Sequence, residues 1–215
     1  MNKILIGFLI VVGAIALVLL SGSMTRAMDQ GQDLMPAKPT NSAFPAITLA
    51  GGCFWCTESE YRALDGVLFT RVGYMGGALE NPTYKDISTG DTGHAEVVEV
   101  TYDPAKISEE ALIEFFLTRA HDPTQLNRQG VDVGTQYRSA IFYEDDAQKQ
   151  RAQAIVDKVA QSGKYKDPIV TTLEPRGTFW VAEDYHQQYY EKYQEETGVQ
   201  HIRVMMKQKK RAENP

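Results

Sequence analysis

One stretch leaves this chain little freedom in how it folds. Ala46-Ile47-Thr48-Leu49-Ala50 runs straight into Gly51-Gly52 and then into Cys53-Phe54-Trp55-Cys56-Thr57-Glu58. An apolar run, a paired-glycine breaker and a longer mixed segment predict a buried strand, a tight turn and a helix that begins at or just after Cys53. The two cysteines of the chain both lie here, three positions apart.

A thiol on the first turn of a helix faces unpaired backbone N–H groups and the positive end of the helix dipole. Both favour thiolate over thiol, so Cys53 is expected to ionise below the usual thiol range and to act as a nucleophile. The glycines before it let the backbone turn sharply and let a substrate come close. Phe54 and Trp55 are read either as ordinary core aromatics or as the lining of a small apolar pocket beside the sulfur. Cys56 is one turn from Cys53, within Cα reach of a disulfide once the first turn loosens. A C-x-x-C at a strand-to-helix junction reads as a redox pair. Zinc is the main rival, but there is no second C-x-x-C, and His94, His121, His186 and His201 show no ligand spacing.

The formal charge of −6 and the absence of a basic cluster argue against nucleic acid. Lys207 to Arg211 reads as a solvated basic tail. Ile4 to Leu20 is an unbroken uncharged run behind Lys3. A membrane anchor and a cleaved signal peptide both fit it, and a buried helix fits poorly because the run has no polar face. Lys3 predicts that the N-terminus stays in the cytoplasm while the rest lies outside, exported or anchored to the cytoplasmic membrane. Ala27 to Ala43, with Gly31, Pro36 and Pro39 and no periodicity, is a linker. The expected layout is a signal or anchor segment over 1–23, a linker over 24–43, a folded domain over 44–207 and a tail over 208–215.

Within that domain, strands are expected at 46–50, 67–74, 95–102, 139–143 and 169–174. Helices are expected from about Cys53 to Leu64, after a Ser108 cap, over 145–161 and over 183–196. Asp122 to Gln136 reads as a long loop. Hairpin-like pairs occur among the alternating elements, so an α+β fold with a mixed sheet is expected. Glu96 shares its strand face with Val98, Val100 and Tyr102, while Glu99 falls on the other face, where a surface carboxylate is expected. An apolar setting would keep Glu96 protonated and able to donate a proton near neutral pH, unless it reaches water at the strand's open end.

With Cys53 and Glu96 in place, the sequence resembles the peptide methionine sulfoxide reductase A family over roughly Ile47 to Val204. The resemblance rests on an ordered set of blocks. They are Gly51-Gly52-Cys53-Phe54-Trp55, Gly73-Tyr74-Met75-Gly76-Gly77, Asn81-Pro82-Thr83-Tyr84, Gly93-His94-Ala95-Glu96-Val97-Val98, residues 128–139, and Glu183-Asp184-Tyr185-His186-Gln187. It implies a two-layer α+β sandwich with a mixed sheet and a split β-α-β, ferredoxin-like core. It also implies that Cys53 is the nucleophile and that Glu96 protonates the sulfoxide oxygen, which Tyr84 and Tyr137 hydrogen-bond. Phe54 and Trp55 would form the pocket for the substrate's methyl group. Asp132 would support the site, and His186 would sit at the substrate or hold a structural hydrogen bond. Many members carry Gly where this chain has Cys56 and place a resolving cysteine near the C-terminus. This chain has none there, so a resolving role falls to Cys56. Val131 and Val133 stand where the family is often polar.

The resemblance further implies reduction of methionine S-sulfoxide, free or in proteins, through a Cys53 sulfenic acid and a Cys53–Cys56 disulfide. A thioredoxin-like donor would then reduce the pair. No cofactor, metal or flavin is implied, the chain is expected to act as a monomer, and membrane contact is confined to the N-terminal segment. A thioredoxin-like thiol–disulfide oxidoreductase would share Cys53 and Cys56 but would not need Glu96, Tyr84 or Tyr137. A scaffold with a merely structural disulfide fits less well, because so short a loop stabilises little.

Overall fold

The strand and helix that flank Cys53 form where the sequence puts them. β1 spans Ala46–Gly51 and α1 spans Phe54–Arg62. β2 (Val67–Met75) and β3 (Ala95–Tyr102) follow, with a one-turn helix α2 (Tyr84–Ile87) between them. Thr83 caps α2 through a reciprocal bond pair with Asp86, which fixes the entry of Tyr84. This is a computed structural model in which residues 43–201 are described. The Ile4–Leu20 run, nearly all of the linker and the basic tail lie outside the described residues. The described residues belong to the unit Thr40–Pro215, and none of their helices is long and apolar enough to cross a membrane.

After β3 come α3 (Glu109–Phe115), capped by Ser108 as expected, and a π-turn over Phe116–Ala120. The segment read as a long loop folds into a small hairpin, β4 (Arg128–Gln129) with β5 (Asp132–Val133), and a 3-10 turn at Thr135–Tyr137. β6 (Ser139–Tyr143), α4 (Asp146–Gln161) and β7 (Thr172–Pro175) follow. A two-residue edge strand, β8 (Trp180–Val181), was not legible in the sequence. The expected C-terminal helix is broken into a 3-10 turn (Asp184–His186) and α5 (Tyr189–Thr197).

The main sheet runs β7-β6-β1-β3-β2-β8. All neighbours are antiparallel except β6 and β7, so the sheet is mixed, as the α+β reading required. β1 and β2 both pair antiparallel with β3, so they run parallel to each other with β3 between them and α1 as their connection. That split arrangement places the end of β1, the start of α1 and the first residues of β3 side by side. The core lies between the helices and one sheet face, with Leu49, Val72, Tyr74, Val98, Val100 and Ile141 packed against Phe54, Tyr61, Leu112 and Phe116. Each such side chain, fully buried, contributes about 1.5–3 kcal/mol.

The opposite face is also covered, and this overturns the expectation for Glu99. Ala50, Met75, Val97, Ala140 and Phe142 form a second cluster with Phe179. Glu99 is fully buried there between Arg71, which bonds both its oxygens at 2.9 and 3.2 Å, and Arg176. Burial opposes its charge, and the two guanidinium groups outweigh that and hold its carboxyl below the usual range. Period-two patterning assigns a residue to a face correctly but does not say whether that face meets water.

Candidate active site

Cys53 occupies the N-cap of α1. Its carbonyl accepts the N–H groups of Cys56 (3.1 Å) and Thr57 (3.2 Å). The turn before it needs glycine. Gly52 has φ +87°, and a Cβ there would lie 2.4 Å from the Cβ of Gln129. The turn thus seats the hairpin-bearing segment against the cysteine.

The structure corrects the expected ionisation of Cys53. Its thiol is pushed well above the usual range, first by its hydrogen bond with the Cys56 side chain, then by burial, and then by the negative charges of Cys56 and Glu96. A helix start lowers a thiol's pKa only where neighbours and solvent allow it. Here a second thiol and the Glu96 carboxylate face it.

Glu96 settles between its two readings. It is the second residue of β3, opposite Tyr74, is only 2% exposed, and its Oε2 accepts the backbone N–H of Phe54 at 3.0 Å. It does not escape to bulk water from the strand end. It looks instead into a cavity of about 200 Å³ lined by Cys53, Phe54, Trp55, Tyr84, Glu96, Asp132, Tyr137 and His201. Small-molecule sites typically measure ~300–1,000 Å³, so this cavity suits one side chain better than a whole cofactor.

Seven of the residues expected at the site therefore converge on one cavity. Tyr84 and Tyr137 arrive from separate elements. Burial, then the charge of Glu96, raises both above the usual phenol range, so each keeps its O–H. Tyr84 is further fixed by Glu183, whose Oε1 accepts its backbone N–H at 2.9 Å while Oε2 accepts the Tyr74 O–H at 2.9 Å. Asp132 reaches the cavity from β5.

Of its two readings, His186 takes the structural one: it lies behind the cavity wall, almost wholly buried. Its Nδ1 accepts the Trp55 indole N–H at 3.0 Å, and its ring packs on Phe54, Tyr84 and Tyr185. Burial pushes its pKa down to about 4 against the pull of Glu183. His186 is thus a neutral acceptor that orients Trp55. Cys56 lies outside the cavity lining, one turn deeper.

Sequence reasoning missed the contribution of the C-terminal segment. Tyr189 stacks on Trp55 with centroids 3.8 Å apart and planes at 9°, and the Tyr190 hydroxyl lies 3.1 Å from Cys56 Sγ. His201 completes the cavity wall and stacks on Tyr190. The tyrosine-rich composition of 183–196 was the available signal.

A half-buried cysteine beside a second thiol, a buried carboxyl and two phenol donors define a thiol-based reductase site with an oxyanion-binding corner. Comparison with known proteins narrows the class. The sequence model of the peptide methionine sulfoxide reductase family matches residues 45–215. A peptide methionine sulfoxide reductase MsrA of Methanothermobacter thermautotrophicus is 56% identical over 151 residues, 70% of this chain and 89% of its own length. An MsrA of Deinococcus radiodurans is 51% identical over 164 residues, 76% of this chain and 79% of its own. Among solved structures, reduced Mxr1 of Saccharomyces cerevisiae superposes with a TM-score of 0.66 at 40% identity, over 71% of this chain and 87% of that one. Methionine sulfoxide reductase A of Corynebacterium diphtheriae gives 0.63 at 41%, over 71% and 76%. The chain belongs to the peptide methionine sulfoxide reductase family.

Proposed function

We propose that this chain reduces methionine sulfoxide, free or in proteins, to methionine at the expense of thiols, and so repairs oxidised proteins. The observation that carries the reading is the convergence of Cys53, Glu96, Tyr84 and Tyr137 on one side-chain-sized cavity with an apolar wall of Phe54 and Trp55. The methyl group of the sulfoxide packs on that wall, and its oxygen lies toward the two phenols, which stabilise the charge that builds there.

Cys53 is held as a thiol, so its proton must leave as the sulfur attacks. The neighbouring Glu96 takes that proton and gives it to the sulfoxide oxygen, acting as base and then acid. The sum balances: sulfoxide and Cys53–SH become methionine and Cys53–SOH. Cys56, whose side chain faces Cys53, then condenses with the sulfenic acid to a disulfide and water. A thioredoxin-like donor reduces the disulfide. One chain supplies every proposed group, so the proposed reaction needs no residue from a partner subunit.

The family serves the S epimer at sulfur, one enzyme per epimer. Separate assays of resolved S and R methionine sulfoxide with dithiothreitol test this. Consumption of S alone is expected, and equal consumption of both, or of R alone, overturns it. Lys3, the apolar run and the linker support a domain held outside the cytoplasmic membrane, exported or anchored. Protease added to intact spheroplasts digests such a domain, and full protection contradicts the placement.

A further inference from the structure

We propose that Tyr190 activates Cys56 as the resolving thiol by donating its phenol O–H to the Cys56 thiolate. The proposal rests on the reading above, in which Cys56 attacks the Cys53 sulfenic acid. Its basis is geometric. The Tyr190 hydroxyl lies 3.1 Å from Cys56 Sγ, and the ring is almost fully buried. Toward a thiol either atom can donate, but toward a thiolate only the phenol can.

Three further features hold Tyr190 in that place. Gln187 fastens the segment to β2, accepting the Val72 N–H at 2.8 Å and donating to the Val72 and Ala182 carbonyls at 2.9 Å. Gln188 adopts a left-handed conformation at φ 53°, and its N–H donates to Glu58 Oε2 on α1 at 2.7 Å. That strained residue, which is not glycine, breaks the expected continuous helix and sets the direction of α5. His201 then stacks on the Tyr190 ring with centroids 4.6 Å apart. The helix break, the clamp and the stacked ring together aim one phenol at one sulfur.

The step balances as follows. Cys56 gives its proton to solvent and, as thiolate, attacks the Cys53 sulfenic sulfur. The S–S bond forms as the S–O bond breaks, and hydroxide leaves and takes up a proton as water. Cys56 is oxidised, the sulfenic sulfur is reduced, and Tyr190 keeps its own proton throughout. A hydrogen bond to the thiolate raises the fraction of Cys56 ready to attack at neutral pH. The Cys53 thiol and Tyr190 both face Cys56; Glu96 faces Cys53, and His201 lies across Tyr190.

The test compares wild type, Y190F and C56S as purified full-length chains, mixed with free methionine sulfoxide without reductant. Methionine formation reads the first step, and loss of alkylatable thiol at Cys56 reads the second. A bond to a charged group is worth a factor of about ten to a hundred. Y190F is therefore expected to slow the disulfide step about ten- to a hundred-fold, by a larger factor than the methionine step, and to move its rise with pH to higher pH. Wild-type disulfide kinetics with an unmoved pH profile in Y190F would overturn the role of Tyr190. Absence of the disulfide in the wild type would instead overturn the resolving role of Cys56. Should Y190F melt far below the wild type, C53S alone is read, where Cys56 is the sole thiol and Tyr190 is intact. Its alkylation should rise with pH at a lower pH in the folded chain than in the urea-unfolded chain. An equal or higher pH in the folded chain contradicts the proposal.

Discussion

Replacing Glu96 with Gln removes the proposed proton carrier and little else. The side chain keeps its length and an amide oxygen that can still accept the Phe54 N–H, so the bond at 3.0 Å has a replacement acceptor. The change in stability is therefore expected to stay within about 1 kcal/mol, the net worth of one hydrogen bond. Catalysis is different, because Gln can neither accept the Cys53 proton nor deliver one to oxygen. General acid–base catalysis is worth about 10²–10⁴-fold, or ~2.7–5.4 kcal/mol of barrier, and the sulfoxide step should slow by that factor. Tyr84 and Tyr137 remain as O–H donors, so binding should change far less than rate. Rapid quench of a single turnover with free methionine sulfoxide measures the rate.

A second readout runs in the opposite direction. The Glu96 charge helps hold Cys53 as a thiol, so its removal should speed alkylation of Cys53 at a given pH. A variant that melts like the wild type, reduces sulfoxide at the wild-type rate and alkylates no faster would refute the role of Glu96.

Cys56→Ala removes the strongest influence that raises the Cys53 pKa, so the pH profile for Cys53 alkylation should shift to lower pH, and an unmoved profile would count against the thiol–thiol bond. Glu58, 1% exposed, is raised to about 7 chiefly by burial, against the bonds it accepts from Thr70 and Gln188. Its folded pKa exceeds the unfolded one, so it contributes stability that is complete below about pH 4.5 and lost as pH rises through about 7, amounting to roughly 3 kcal/mol. Thermal melts from pH 5 to 8 should show that loss, and Glu58→Gln should flatten it; an equal slope in both proteins contradicts the assignment.

The parts of the site set by local pattern were legible. The glycine pair before Cys53 placed that cysteine at a helix start, and the alternation of β3 gave Glu96 its face. The resemblance supplied Tyr84, Tyr137 and Asp132, which reach the same cavity from an α2 start, a 3-10 turn and a hairpin. What depended on distant neighbours was not legible. Glu99 looked like a surface carboxylate because nothing local announces that Arg71 and Arg176, the latter 77 residues away, close over it. The ionisation of Cys53 went the other way from its helix position because Cys56 and Glu96 face it in space. The break at Gln188 is set by Glu58 on another helix, 130 residues earlier, so no periodicity within 183–196 could show it. The same break delivers Tyr189, Tyr190 and the segment leading to His201.

The central claim is that Cys53 takes the oxygen from sulfoxide and passes its oxidation to Cys56. The most direct measurement mixes the full chain with excess free methionine sulfoxide in the absence of reductant, quenches with a thiol alkylator, and counts methionine alongside peptide masses. The account predicts one methionine per chain and a peptide bearing a Cys53–Cys56 disulfide with neither thiol alkylated, while Cys53→Ser yields neither product. Methionine formed with both thiols still open to alkylation, or formed equally well by Cys53→Ser, would contradict it.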